Sequence, residues 1–225
     1  MLKSFAPTVR RWLLIAPLLL LVACMPSRRD IRQAQAFVAE RQDSAVNCSR
    51  EDRCALPSPL IDQAREVLSA GGGLAAGLAL AARDRGEYRL LFQSLWCPML
   101  DDRCITPSSI DLAESKIWSR DSNVRAWRAY LGDDGGARNT SLYAAPTRAT
   151  DLAGLPPVYM RVGSMDLFVD ENAAYAKRLI EAGVATDFAT IEGGFHAFES
   201  VAMDTRISQR TRHGYYRALQ AALFA

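Results

Sequence analysis

Histidine is almost absent from this chain: there are two among 225 residues, His196 and His213. The cysteine spacings fit no zinc pattern, and both histidines lie far downstream of the cysteines, so the usual imidazole–thiolate metal centres are not expected. No stripe of Lys and Arg interleaved with aromatics runs along the sequence, and the formal net charge is only +2, so nothing points to nucleic acid. There is no internal repeat and no low-complexity stretch. No apolar run is long enough to cross a bilayer comfortably. What remains is a chain that is 49% hydrophobic, enough for one domain with a true core but not for two.

The N-terminus has a character of its own. Lys3, Arg10 and Arg11 form a basic flank, and Trp12 to Val22 is almost wholly apolar, as in a secretory signal. The run ends in Leu21-Val22-Ala23-Cys24, which resembles the lipobox of bacterial lipoproteins, with small residues for a signal peptidase and a thiol to accept diacylglycerol. The expectation is a lipoprotein signal peptide over 1–23, lipidation at Cys24, and attachment to the membrane of a bacterial cell envelope; a cytoplasmic protein is the alternative. Four cysteines are then left in two close pairs. An oxidising compartment would permit Cys48–Cys54 and Cys97–Cys104 disulfides, whereas the apolar surroundings of Cys97 favour a buried free thiol.

Residues 24–66 read as an irregular N-terminal region, with a short helix over Ile31–Gln42 between Pro- and Arg-containing stretches. From residue 67 the pattern changes to that of one domain running to 225. Apolar and alanine positions at helical spacing predict a helix over 72–84. Tyr88–Cys97 is a short apolar run rich in strand formers, closed by Pro98. Helices are expected over 110–118, 124–130, 171–182 and 208–223, a turn over Gly132–Gly136, and strands over 157–162 and 186–191, the last broken by Gly193-Gly194. Strands alternating with helices predict an α/β fold with a mostly parallel sheet, whose ligands lie at the carboxyl ends of the strands.

Three polar residues follow such positions. Ser69 precedes Ala-Gly-Gly-Gly and the alanine-rich helix, Asp166 lies just past the strand at 157–162, and His196 lies just past the strand at 186–191. A serine, an acid and a histidine in that order suit acyl transfer: histidine takes the serine proton, and the carboxylate fixes its tautomer and stabilises the imidazolium. Ser69 has an alternative reading as a helix N-cap whose hydroxyl satisfies free amides. His213, the rival base, falls within a helical stretch.

SAGGGLAAGLALAARDRG at Ser69–Gly86, PMLDDR at Pro98–Arg103, and the stretch from Ser141 to Val184 resemble the hormone-sensitive-lipase-like family of α/β-hydrolase esterases. HAF at 196–198 matches that family's His-Gly-Phe with Ala197 in place of glycine. The resemblance runs from about residue 69 to the C-terminus. It implies Ser69 as nucleophile, Asp166 as acid, His196 as base, and Asp170-Glu171 as the family's Asp-Glu pair. It implies no metal and no organic cofactor, and the amide of Ala70 as an oxyanion donor.

Upstream the match fails. The glycine expected two residues before the serine is Val67, where a side chain crowds a tight turn. Ile61–Leu68 is charged with apolar positions at helical spacing, not an apolar strand, and no His-Gly-Gly-Gly run supplies an oxyanion loop. The expected fold is therefore the C-terminal portion of an α/β-hydrolase, lacking its N-terminal strands, as a truncated or frame-shifted gene product would be. The expected function is a serine carboxylic ester hydrolase, esterase- or lipase-like and impaired, acting on a small-molecule ester. The alternative is a non-catalytic lipoprotein or hydrolase remnant serving as a binding or interaction domain. An unprotected edge on the first strand would favour homodimers. A peptidase or thioesterase on the same fold is a third reading.

Overall fold

The computed structural model describes residues 58–86, 88–132 and 138–224. The signal segment, Cys24, the helix expected over 31–42, Cys48, Cys54 and most of the 132–136 turn lie outside the described residues. Helix α1 spans Ser58–Arg85 and is followed by strand β1, Gln93–Trp96. Helices α2 (Pro107–Asp111) and α3 (Arg120–Leu131) lead to a 3-10 turn at Pro146–Arg148. Strand β2 (Val158–Met165), helix α4 (Val169–Glu181) and strand β3 (Thr186–Phe195) form one β-α-β unit with parallel strands. Two helices close the chain, α5 (Phe198–Val201) and α6 (Arg206–Phe224).

The described strands form one parallel sheet in the order β1-β2-β3. Gln93 pairs with Val158 and Trp96 with Arg161, while Val158 pairs with Thr186 and Gly163 with Ile191. Helix α1 packs on β1, and α4 packs on β2 and β3. One apolar cluster joins Ala76 and Leu80 of α1, Leu95, Met160, and Tyr175 and Leu179 of α4. Leu80, Leu95, Met160 and Leu179 are fully buried, which at about 1.5–3 kcal/mol per side chain makes this layer the principal source of stability. A second cluster, with Cys97, Trp118, Trp127, Val162 and Phe168, lies towards the carboxyl ends of β1 and β2.

Several expected boundaries move. The helix expected from 72 begins at Ser58, so the helical spacing of Ile61–Leu68 continues into the alanine-rich segment without a turn. The strand expected over 88–97 is reduced to four residues: among the described residues β1 pairs only with β2, and it ends where Cys97 takes φ 32 before Pro98. The helix expected over 110–118 is the five-residue α2, capped by Thr106, whose side chain accepts from Ser109 N. Gly193-Gly194 does not break β3. The strand continues to Phe195 through a register shift between Gly163 and Met165, with Gly193 at φ 71 as the bulged residue.

Candidate active site

The bulge decides where the site residues point. A Cβ on Gly194 would lie 3.1 Å from Gly163 Cα, so the ends of β2 and β3 approach more closely than any pair of side chains would allow. Ser164 Oγ accepts from Gly193 N at 2.9 Å and holds that pinch. Asp166 follows β2 directly and His196 follows β3 directly. Asp166 Oδ1 accepts from Phe168 N at 3.1 Å, which turns the chain into α4 and leaves Oδ2 facing the histidine. Ala197 adopts a left-handed conformation, φ 55, where the resembled family carries glycine. For an alanine this conformation costs roughly 1–2 kcal/mol, held in place by the surrounding packing.

Asp166 Oδ2 lies 2.9 Å from His196 Nδ1, with both side chains essentially out of solvent. A carboxylate can only accept here, so Nδ1 carries the proton and Nε2 is left as the basic nitrogen. The imidazole stacks on Trp118 at 5.5 Å between ring centroids and meets the edge of Phe168 at 5.4 Å. Those contacts fix the ring plane. His213 is exposed on α6.

The acidic segment opening α4 ties this loop to the one after β1. Glu171 accepts from Leu100 N at 2.8 Å and Asp101 N at 3.3 Å, and Asn172 Nδ2 donates to Pro98 O at 2.8 Å. Asp170 accepts from Ser108 N at 2.7 Å. Burial pushes the Glu171 carboxyl well above the carboxylate range, with the Asp101 and Asp166 charges adding to the shift and the two amides opposing it. Asp102, in the PMLDDR segment, is paired with Arg148 at 2.6 Å, and Asp101 with Arg103 at 2.6 Å. These residues brace the site rather than face it.

Ser69 lies in the interior of α1, eleven residues past its start, so it is not an N-cap and follows no strand-to-helix turn. The N-cap reading is thereby corrected. The serine is fully buried, and its carbonyl accepts from Met99 N at 2.9 Å. Neither Ser69 Oγ nor His196 Nε2 has a hydrogen-bond partner, so the two are not joined to each other. Ala70 is likewise within the helix, and its amide belongs to the i to i−4 ladder rather than to a free oxyanion turn. Val67 occupies a helical position, not the bend where glycine was expected. The structure therefore brings Asp166 and His196 together and leaves Ser69 and Ala70 unconnected to them.

Four neighbours of the pair, Cys97, Glu199, Trp118 and Phe168, went unrecognised in the sequence. Cys97 Sγ, an Asp166 oxygen and a His196 ring nitrogen all lie within 4.8 Å of one another. Cys97 and Cys104 are both free and buried, so Cys97 is the buried thiol its apolar surroundings favour and the disulfide its spacing would permit is not formed. Asn123 Nδ2 donates to Cys104 Sγ at 3.1 Å instead. Burial pushes the Cys97 thiol well up, with the Asp166 and Glu199 charges adding to it and a bond from the Ala197 amide opposing. Glu199, three residues after His196 and in the first turn of α5, is buried with Oε1 unpartnered. Its carboxyl is raised to about 7, chiefly by burial and with the Asp166 charge adding, while its own amide, His196 and Arg212 oppose. Its spacing from His196 was the one signal available. Trp118 and Phe168 had none, because only the fold brings them to the ring.

A parallel sheet flanked by helices, with an acid after one strand and a histidine after the next, is the frame of an α/β-hydrolase. The family model described as alpha/beta hydrolase fold matches residues 68–200, and the chain belongs to that family. The carboxylesterase NlhH of Mycobacterium tuberculosis is 31% identical over 159 residues, 70% of this chain and 50% of that protein. The esterase LipI of the same species is 34% identical over 131 residues, 58% of this chain and 40% of that protein. Among solved structures, a bacterial heroin esterase aligns with TM-score 0.67 at 41% identity, covering 70% of this chain and 50% of its own. The esterase LipW of Mycobacterium marinum aligns with TM-score 0.65 at 35% identity, covering 70% and 48%. The chain thus spans about half the length of these relatives, or less.

Proposed function

We propose that this protein is a carboxylic ester hydrolase acting on small-molecule esters, with Ser69 as nucleophile, His196 as proton shuttle and Asp166 as the group that orients it. The observation that carries this reading is the buried Asp166–His196 pair at 2.9 Å, with Nε2 left without a partner. Carboxylesterases and esterases among the relatives supply the reaction class. In that scheme His196 Nε2 takes the Ser69 proton as Oγ attacks the ester carbonyl, then returns it to the leaving alcohol. Water repeats the sequence on the acyl-enzyme. Turnover is expected to be slow, because Ser69 and Ala70 lie within a helix and their own segment offers no free turn amide to the developing oxyanion. Loss of a single oxyanion donor costs about 10²–10³ in rate.

The test is hydrolysis of p-nitrophenyl acetate by purified full-length protein, with Ser69→Ala and His196→Ala. Both substitutions are expected to remove the activity. Turnover that survives either one refutes the assigned roles.

The helical setting of Ser69 favours a second reading, a non-catalytic interaction domain. It is supported by the free side of β1, an outer strand of the described sheet on which a second copy could pair. Complete inactivity together with a stable dimer by light scattering would favour it. Lipid attachment at Cys24 to a bacterial envelope membrane fits either reading and rests on the N-terminal sequence pattern.

A further inference from the structure

Cys97, Asp166 and His196 offer one sulfur, one oxygen and one nitrogen donor, all buried and all within 4.8 Å of one another. Such a mixed set suits a borderline-soft dication with four-coordinate preference. Beside it lies a cavity of about 10 Å³ lined by Cys97, Ala197 and Glu199, room for about one water. Glu199 is 3% exposed and its Oε1 has no partner, an uncompensated acceptor on the wall next to the cysteine. Arg161, which also lines the cavity, is engaged with Asp187 at 2.8 Å rather than with Glu199.

We propose that Cys97, Asp166 and His196 form a binding site for a thiophilic divalent cation of the Zn²⁺ class. Metal–ligand bonds of about 2.0–2.3 Å place tetrahedral donors roughly 3.5 Å apart, a contraction of at most about 1.3 Å from donors that now lie within 4.8 Å of one another. On binding, the Cys97 thiol loses its proton to solvent and a sulfur–metal bond forms. The proton on His196 Nδ1 leaves as that nitrogen ligates the ion, and Nε2 takes one up. Asp166 supplies the third bond, and one proton is released per cation. With Nε2 protonated, His196 has no lone pair for a serine proton. Cation binding therefore holds the histidine in a state unable to act as a base. That consequence rests on the esterase reading; the site itself does not.

The test uses the purified full-length chain, with Co²⁺ as the spectroscopic probe and Zn²⁺ as competitor. The expected result is a near-ultraviolet thiolate-to-cobalt charge-transfer band that Zn²⁺ removes, with one proton released per ion. Cys97→Ser is expected to lose the band and Cys104→Ser to keep it. Should Cys97→Ser fail to fold by circular dichroism, the wild-type protein still decides. At Zn²⁺ about ten times its Kd, alkylation of Cys97 by iodoacetamide, located by peptide mapping, is expected to slow about ten-fold. Absence of the band, its persistence in folded Cys97→Ser, or Zn²⁺ protection that falls on other cysteines and not on Cys97 overturns the site. None of these readouts involves ester turnover, so the site and the esterase reading fail separately.

Discussion

Gly73 and Gly77 lie one turn apart on the face of α1 that rests directly on backbone. A Cβ on Gly73 would lie 3.2 Å from the carbonyl carbon of Met99 and closer still to its oxygen. A Cβ on Gly77 would lie 2.9 Å from the carbonyl carbon of Tyr143, again with the oxygen nearer. Neither obstacle is the end of a flexible side chain, so relief requires moving the helix or the loop. In a free helix Gly→Ala stabilises by about 1 kcal/mol. Overpacking costs about 1–3 kcal/mol, and contacts with a fixed carbonyl belong at the upper end. The net expectation is a loss of about 2 kcal/mol for Gly73→Ala and for Gly77→Ala, or about 4–8 °C in Tm for a protein of this size. Gly72 is the graded comparison: its Cβ would lie 3.0 Å from Pro98 Cβ, 3.2 Å from Pro98 Cα and 3.3 Å from Trp96 O, tight contacts but none as short as those at Gly73 and Gly77, so Gly72→Ala should lose less. Thermal melts of the three variants, followed by circular dichroism, provide the assay. A Tm for Gly73→Ala or Gly77→Ala equal to or above wild type would refute the direct packing of α1 on the loops after β1 and before the 3-10 turn.

Val67→Gly tests the helix at Ser69: with no turn to relax, it is expected to leave ester hydrolysis unchanged and to cost about 1 kcal/mol in stability. A rise in activity would mean an elbow exists. Glu171 holds its proton above the ordinary carboxylate range because it is buried beside the Asp101 and Asp166 charges. A raised folded pKa contributes stability that is complete below the unfolded value, about 4.3, and is lost as pH rises through the folded one. The Tm of wild type is therefore expected to fall relative to that of Glu171→Gln as pH increases from the acid side, and parallel Tm profiles would contradict the assigned burial. Cys24→Ser is expected to release the protein from membranes or leave an uncleaved precursor, and unchanged fractionation and mass after that substitution would rule the anchor out.

The acid–histidine pair was legible because each member follows a segment rich in strand formers, Val158–Val162 and Thr186–Ile191, bounded by turn residues. The continuation of β3 through Gly193-Gly194 was not, since a glycine pair signals a break and a bulge equally well. Only the pairing partner, with Gly163 opposite, selects the bulge. The Cys97–Cys104 pairing was a matter of sequence proximity, and the two thiols were separated by where the loop after β1 and helix α3 carry them.

Sequence alone determined the alternation of elements, the parallel sheet, the residues that follow its strands and the mismatch around Val67, because periodicity, turn residues and motif spacing are properties of the local chain. Tertiary structure alone decided which of those residues meet. Asp166 and His196 are thirty residues apart and become neighbours through the register of β2 on β3, and Cys97, Trp118 and Phe168 join them through loop packing that leaves no trace in spacing. Ser69 sits inside a helix by the same physics: the helical period of Ile61–Leu68 runs unbroken through it, and its hydroxyl makes no hydrogen bond to the pair.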